Sequence, residues 1–84
     1  MVFRNYPNPF NPATNIEYAI SSRQFVTLKV YDLRGKEIAT LVNEEKPAGV
    51  YEANWNSSNL PSAVYFYQLK AGTLKSTKKM ILLK

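Results

Sequence analysis

The sequence contains no cysteine and no histidine among its 84 residues. Without cysteine no disulfide can stabilise the fold, so packing and hydrogen bonds must hold it together. The same two absences exclude a zinc site made of thiolates or imidazoles, a serine–histidine–aspartate triad and a cysteine–histidine pair. No side chain present has an ordinary pKa near neutral pH. The sequence therefore predicts a protein that is not an enzyme and that uses no metal or organic cofactor.

Long hydrophobic runs are also absent. Apolar runs such as Met80 to Leu83 fall far short of the roughly 20 residues that a membrane-spanning helix needs, so we expect no membrane insertion. We expect no signal peptide at the start of this sequence, because Arg4 is followed by Asn5, Tyr6 and Pro7 and not by an apolar stretch. We interpret residues 1–84 as a single domain excised from a larger secreted protein.

Acidic residues are missing from the end of the chain. Of eleven basic and six acidic residues, six of each lie within residues 1–69, whereas residues 70–84 carry five lysines and no acid. Such a segment could meet nucleic acid, an anionic membrane or an acidic protein groove, and lysines also protect edge strands from association. Because the aromatic residues lie mainly before residue 67 and the lysines after it, we do not expect nucleic acid as a partner.

Short alternating segments predict an all-β sandwich. Apolar and polar residues alternate in Ile16–Ile20, Val26–Val30 and Tyr51–Trp55, which is typical of half-buried strands. Turn-forming residues recur at intervals of about 8–12 residues, the spacing of a sandwich. We expect one core between two antiparallel sheets, lined by Val26, Leu28, Val30, Tyr51, Ala53 and Trp55.

The residues between the predicted strands indicate how the strands are connected. Asp32–Lys36 predicts a hairpin turn, with Gly35 in the left-handed position, and the uneven apolar spacing of residues 37–42 indicates a bulge. Residues 43–49 are expected to form a polar loop, where Glu44 and Glu45 are solvated and are not a glycosidase pair. The three prolines within residues 7–12 exclude a helix or a central strand. We expect six strands and a further short one near residues 2–6, the last strand spanning residues 74–83.

The segment Val64–Leu69 is apolar on both faces. Either it is a central strand covered on both sides or it shows one face to a partner, so Tyr65, Phe66 and Tyr67 are candidates for an exposed apolar face. Together with Tyr31 they could also form the stacking platform of a carbohydrate-binding or adhesion module of a secreted hydrolase. We expect no sugar binding, because no converging polar groups are evident beside these rings.

Five motifs stand in order along the chain: Tyr6–Pro12, Val30–Val42, Ala48–Trp55, Val64–Leu69 and Lys78–Lys84. In their order and spacing they resemble the type A C-terminal sorting domain of the type IX secretion system, which occurs on secreted proteins of Bacteroidetes and their relatives. The resemblance covers nearly all of residues 5–84. One position departs from the family pattern, because Ala63 stands where the family commonly has glycine.

The resemblance implies an immunoglobulin-like antiparallel β-sandwich of about seven strands that acts as a secretion address. It implies an upstream passenger protein that is in the periplasm during transit and is then secreted or held at the cell surface. The implied partners are the outer-membrane type IX translocon and a sortase-like cysteine peptidase. A related sandwich in the flagellar hook-capping protein leaves a purely structural role as a further alternative. The implied recognition segment is Lys78, Lys79, Met80, Ile81, Leu82, Leu83 and Lys84.

The residues themselves favour the same segment. An edge strand there would offer unpaired backbone groups that a partner could add to a sheet, and its apolar side chains would supply most of the affinity. The lysines would speed the encounter and fix the orientation, with Lys78 and Lys79 both near solvent.

Overall fold

The structure, a computed structural model, describes residues 3–83. Within that range the chain forms antiparallel strands arranged in two sheets, ordered β1-β2-β5 and β4-β3-β6-β7. The predicted all-β sandwich of about seven strands is confirmed, including the short first strand. The strands are β1 (Phe3–Tyr6), β2 (Ala13–Ile20), β3 (Gln24–Tyr31), β4 (Glu37–Lys46), β5 (Gly49–Asn56), β6 (Ala63–Ala71) and β7 (Leu74–Leu82).

The core lies between the two sheets. Because successive side chains of a strand point to opposite faces, alternate residues of each strand are buried there. On β3 the predicted inward residues are fully buried, and on β5 Trp55 is buried while Tyr51 and Ala53 are half-buried against the core, since β5 is an edge strand. The buried hydrophobic residues are Phe3, Phe10, Ile16, Tyr18, Ile20, Val26, Leu28, Val30, Trp55, Tyr65, Tyr67, Leu69, Ala71, Met80 and Leu82.

Aromatic side chains connect the two sheets. The rings of Phe3 and Tyr67 meet edge to face at 5.0 Å between centroids, and those of Trp55 and Tyr65 meet in the same way at 5.7 Å. Such edge-to-face pairs stabilise a core beyond the burial of their surface. Each pair joins a strand of the three-stranded sheet to β6 of the other sheet, so the aromatic residues fix how the sheets stack.

The hairpin between β3 and β4 forms as predicted. The Asp32 carboxylate accepts hydrogen bonds from the main-chain N–H groups of Arg34 and Lys36 at 2.9 and 3.0 Å. Gly35 has φ +83°, a conformation that strains any residue with a Cβ. The predicted irregularity of the return strand is also confirmed, because the β3–β4 register shifts twice, after Leu28 and after Val30.

The polar loop expected at residues 43–49 is partly wrong. Strand β4 continues to Lys46 and pairs with the start of β3. Because β4 is an edge strand, it tolerates exposed polar residues. Two of them form ion pairs: Glu45 with Arg23 at 2.7 Å and Glu44 with Lys46 at 2.9 Å. The adjacent carboxylates therefore lie on a strand, each beside a cation.

The proline-rich segment between β1 and β2 forms no strand, as predicted, and polar bonds anchor it. The Thr14 hydroxyl donates to the Pro7 carbonyl oxygen at 2.9 Å, and the Ser57 hydroxyl donates to the Pro12 carbonyl oxygen at 2.8 Å. Thr14 and Ser57 are buried, so these bonds satisfy polar groups that would otherwise destabilise the fold. The segment is thereby held against the body of the sandwich.

Candidate recognition site at the C-terminal strand

The predicted recognition segment lies partly in the core and partly on the surface. Met80 and Leu82 are fully buried, whereas Lys78 and Lys79 are exposed and Ile81 is half-buried. Leu83 follows the strand with 53% of its surface exposed, and Lys84 lies outside the described residues. Met80 and Leu82 therefore hold the strand in place, and a partner that meets the folded domain can touch only the other members.

The proline-rich segment closes the outer edge of β7 near its end. The Phe10 N–H donates to the Ile81 carbonyl oxygen at 2.9 Å, and the Leu83 N–H donates to the Phe10 carbonyl oxygen at 3.0 Å. The Ile81 N–H donates to the Asn8 side-chain oxygen at 3.0 Å. We call this contact of Asn8 and Phe10 with Ile81–Leu83 the terminal clamp.

The terminal clamp corrects the expectation that residues 78–84 offer an open edge. The outward main-chain groups of Ile81 are already bonded, so a partner cannot add a strand there without displacing Phe10. Within residues 3–83, the open part of the β7 edge is formed by Lys75, Thr77 and Lys79. Their main-chain groups point the same way as those of Ile81, and no strand lies beside them on that side.

The sequence did not point to Asn8 and Phe10 as parts of this site. Phe10 is 2% exposed and its ring lies 5.7 Å from that of Trp55. A large aromatic residue inside a proline-rich segment is a signal that the segment packs on the core, because such a side chain gains most from burial. That signal does not say which strand the segment would join.

Lys78 and Lys79 of β7 make different contacts. The Lys78 ammonium donates to the carbonyl oxygen of Phe3 and lies over the Phe3 ring, 5.6 Å from its centroid. Lys78 thus ties β7 to β1 of the opposite sheet. Lys79 lies on the outer face, paired across the strands with Phe66. The expectation that both are exposed is correct, but only Lys79 can change without loss of a contact inside the domain.

The exposed apolar face expected from Tyr65, Phe66 and Tyr67 is wrong for both tyrosines. Tyr65 and Tyr67 are buried on the inner face of β6, and the Tyr65 hydroxyl donates to the Pro61 carbonyl oxygen at 2.8 Å. Burial raises the pKa of the Tyr67 phenol above its ordinary value of 10.0, an effect that a bond from the Asn5 backbone partly offsets. Phe66 alone points outward, and it is half-buried.

Because side chains alternate along β6, the rings considered for a sugar-stacking platform lie on two different faces of the sheet. Tyr31 and Phe66 are register partners on the outer face of the four-stranded sheet. Tyr65 and Tyr67 belong to the inner face and pack against Trp55 and Phe3. The four rings therefore cannot present one flat surface to a ligand.

The lysines of the last two strands lie apart from the acidic residues in space, as they do along the chain. The four ion pairs within the described range join Arg4, Arg23, Lys29 and Lys46 to four glutamates. None of these pairs uses a lysine of β6 or β7. The ammonium groups of Lys70, Lys75 and Lys79 are thus exposed without a neighbouring carboxylate in an ion pair, and they make this side of the domain electropositive.

The described part of the chain contains neither a candidate metal centre nor a candidate membrane-spanning helix. Residues 3–83 contain no group of three or more aspartate, glutamate, cysteine or histidine side chains that could hold a metal ion. Over the same residues there is no helix of the length and apolarity needed to cross a membrane. All residues of that range other than glycine have negative φ, so Ala63 begins β6 without the conformation that glycine would permit.

The fold is a two-sheet antiparallel β-sandwich whose last strand carries exposed lysines outside the four ion pairs of the described range. Residues 4–83 match the sequence profile of the family described as the secretion system C-terminal sorting domain, and the chain belongs to this family. The protein is a sorting-signal domain of the type IX secretion system, a family that is not catalytic. No curated protein matches the sequence.

Membership of the family implies three general properties. The domain interacts with the type IX secretion machinery, it is attached to a passenger, and it is associated with export to the cell surface. The resemblance expected from the five sequence motifs is thereby confirmed.

Proposed function

We propose that residues 1–84 are the C-terminal address of a larger secreted protein and that the outer-membrane type IX translocon recognises the folded domain at the end of β7. The observation that supports this proposal most is the terminal clamp, which bonds the outward main-chain groups of Ile81 and Leu83 and so fixes the position of the exposed Leu83 side chain. A pre-formed surface needs little ordering when it binds, so more of the contact energy remains as affinity.

The exposed side chains at this end of β7 contribute to recognition in different ways. Leu83 supplies apolar surface that a partner can bury, and Lys79 supplies charge that steers an acidic surface into register. Met80 and Leu82 act indirectly, because they fix β7 in the core. Lys78 acts in the same indirect way through its bond to the Phe3 carbonyl oxygen.

The remaining steps of export follow from this proposed recognition of the domain. The passenger waits folded in the periplasm, leaves through the outer membrane when the translocon binds the domain, and reaches the medium or the cell surface. A sortase-like cysteine peptidase is the second partner and removes the domain after export. The terminal clamp supports recognition of the folded domain, because Phe10 and Ile81–Leu83 are far apart in sequence and meet only when the chain folds.

A reporter enzyme with an N-terminal signal peptide tests the proposal when this chain is fused to its C-terminus. In a host with a type IX system we expect the fusion outside the cell, and in the same host without the translocon we expect it in the periplasm. The reporter without the chain is the control and should stay in the periplasm of both hosts. Export from both hosts, or retention in both, would contradict the proposal.

A further inference from the structure

The outer face of the four-stranded sheet has an uncovered apolar hollow. Tyr31 and Phe66 lie side by side there, and Leu33, 66% exposed, borders them from the β3–β4 turn. The hollow has a volume of about 380 Å³ and is lined also by Asp32, Gly35, Gln68 and Thr77. A hollow with aromatic walls and a polar rim is the kind of surface that receives one large apolar side chain.

Two lysines face each other on the same side of the sheet. Lys70 of β6 and Lys75 of β7 are register partners, and both are exposed. Residues 66, 68 and 70 share a face because side chains alternate along a strand. Like charges directly opposite one another on neighbouring strands destabilise a sheet. Strands β6 and β7 contain no acidic residue that could relieve the repulsion.

The hollow and the lysine pair are spaced to suit an extended polypeptide. Phe66 and Lys70 are four residues apart on one strand, a distance of about 13 Å at roughly 3.3 Å per residue. A second extended chain laid along β6 covers the same distance in four of its own residues. An apolar side chain in the hollow would therefore place the fourth residue after it beside Lys70 and Lys75.

We propose that this face binds an extended acidic segment of a partner protein, with one large apolar side chain in the Tyr31–Phe66 hollow and a carboxylate four residues away between Lys70 and Lys75. Charge selects the occupant. A second copy of the chain would bring the same lysines together, and a nucleic acid strand has no apolar side chain for the hollow. The site adjoins Lys79, the register partner of Phe66, but it includes neither Leu83 nor the terminal clamp. Binding there does not depend on export.

Synthetic peptides test the site on the purified chain by fluorescence anisotropy. The probe contains one phenylalanine and, four positions later, one glutamate, and the control peptide has glutamine in place of that glutamate. We expect saturable binding of the probe and about fivefold weaker binding of the control, since each exposed ion pair contributes modestly. Added salt should remove the difference between them.

Variants of the chain locate the binding. Phe66→Ser should abolish binding of both peptides. Val50→Glu, a charge change at an exposed position of the other sheet, should have little effect on the probe's preference. Lys70→Glu with Lys75→Glu should reverse the preference, so that a peptide with lysine at the fourth position binds best. Trp55 fluorescence checks that each variant is folded.

Three results would overturn the proposal. The first is equal binding of the glutamate and glutamine peptides at low salt. The second is tighter binding of a single-stranded oligonucleotide that is lost in the same lysine variants, which would make the face a nucleic acid site. The third is self-association of the chain that Phe66→Ser removes, which would make the face a dimer interface.

Discussion

The main-chain N–H of Phe10 donates to the carbonyl oxygen of Ile81 at 2.9 Å. This bond joins the proline-rich opening of the domain to its last strand, so two of the motifs that define the family are one structural unit. Phe10 is also buried against Trp55, and the core therefore fixes the position of the terminal clamp. The surface proposed for recognition depends on residues from both ends of the chain.

Replacement of Phe10 should destabilise the whole domain. Phe10→Ala removes a buried ring and should cost about 3–5 kcal/mol of unfolding free energy, measured by urea denaturation. Phe25→Ala is the matched control, since Phe25 is exposed on β3 and its removal should cost far less. Equal losses for the two variants would show that the Phe10 ring is not part of the core.

Asn8 should stabilise only the end of β7. Its side-chain oxygen accepts the Ile81 N–H, so Asn8→Ala should cost about 0.5–1.5 kcal/mol and speed the exchange of that amide hydrogen. Amide exchange followed by NMR measures the change, with Asn59→Ala in the loop before β6 as the control. Unchanged protection of Ile81 in Asn8→Ala would contradict the terminal clamp.

Trp55 should report on the core, as its place in the alternating pattern predicts. The indole lies between the rings of Phe10 and Tyr65, so native fluorescence should peak at the short wavelengths of a buried indole. Trp55→Ala should cost about 3–5 kcal/mol, which is enough to unfold a domain of this size. A native emission maximum typical of exposed indole would place Trp55 outside the core.

Stability should fall in alkaline solution. Burial raises the pKa of Tyr18 and Tyr67 above the ordinary value of 10.0, so the folded state favours the neutral phenols. This stabilisation is complete below pH 10 and is lost as the pH rises through the folded-state pKa. The free energy of unfolding, measured from about pH 9 to pH 12, should fall more steeply for the parent than for Tyr18→Phe with Tyr67→Phe. Identical slopes would refute this assignment.

Polysaccharides should not retard the domain in affinity electrophoresis. Tyr65 and Tyr67 are buried, so only Tyr31 and Phe66 remain of the rings considered for stacking. Saturable retardation that is lost in Tyr31→Ala would instead support the carbohydrate-binding alternative.

The sequence predicts the central strands well because their burial follows a simple period. Val26, Leu28 and Val30 alternate with residues of the outer face, and all three are fully buried. The β4 strand is predicted less well, since the exposed residues Asn43–Glu45 resemble a loop in composition. Their strand conformation depends on pairing with β3, which local composition does not encode.

The candidate site is predicted only in outline. The pattern of Val64–Leu69 shows two apolar faces, but it does not say that Tyr65 and Tyr67 face the core while Phe66 faces outward. The terminal clamp joins Asn8 to Ile81 across 73 positions of sequence. A contact at that separation follows from the stacking of the sheets, and no local signal contains it.

Export of a fused reporter tests most directly the claim that the exposed end of β7 is the sorting signal. The decisive variant combines Lys79→Glu with Leu83→Ser. The matched control combines Lys36→Glu with Val50→Ser, which makes the same kinds of change at other exposed positions. Each surface change should leave stability within about 0.5 kcal/mol. We predict that the first fusion accumulates folded in the periplasm while the control is exported like the parent. Export of both fusions at the parent's level would contradict the proposed role of β7.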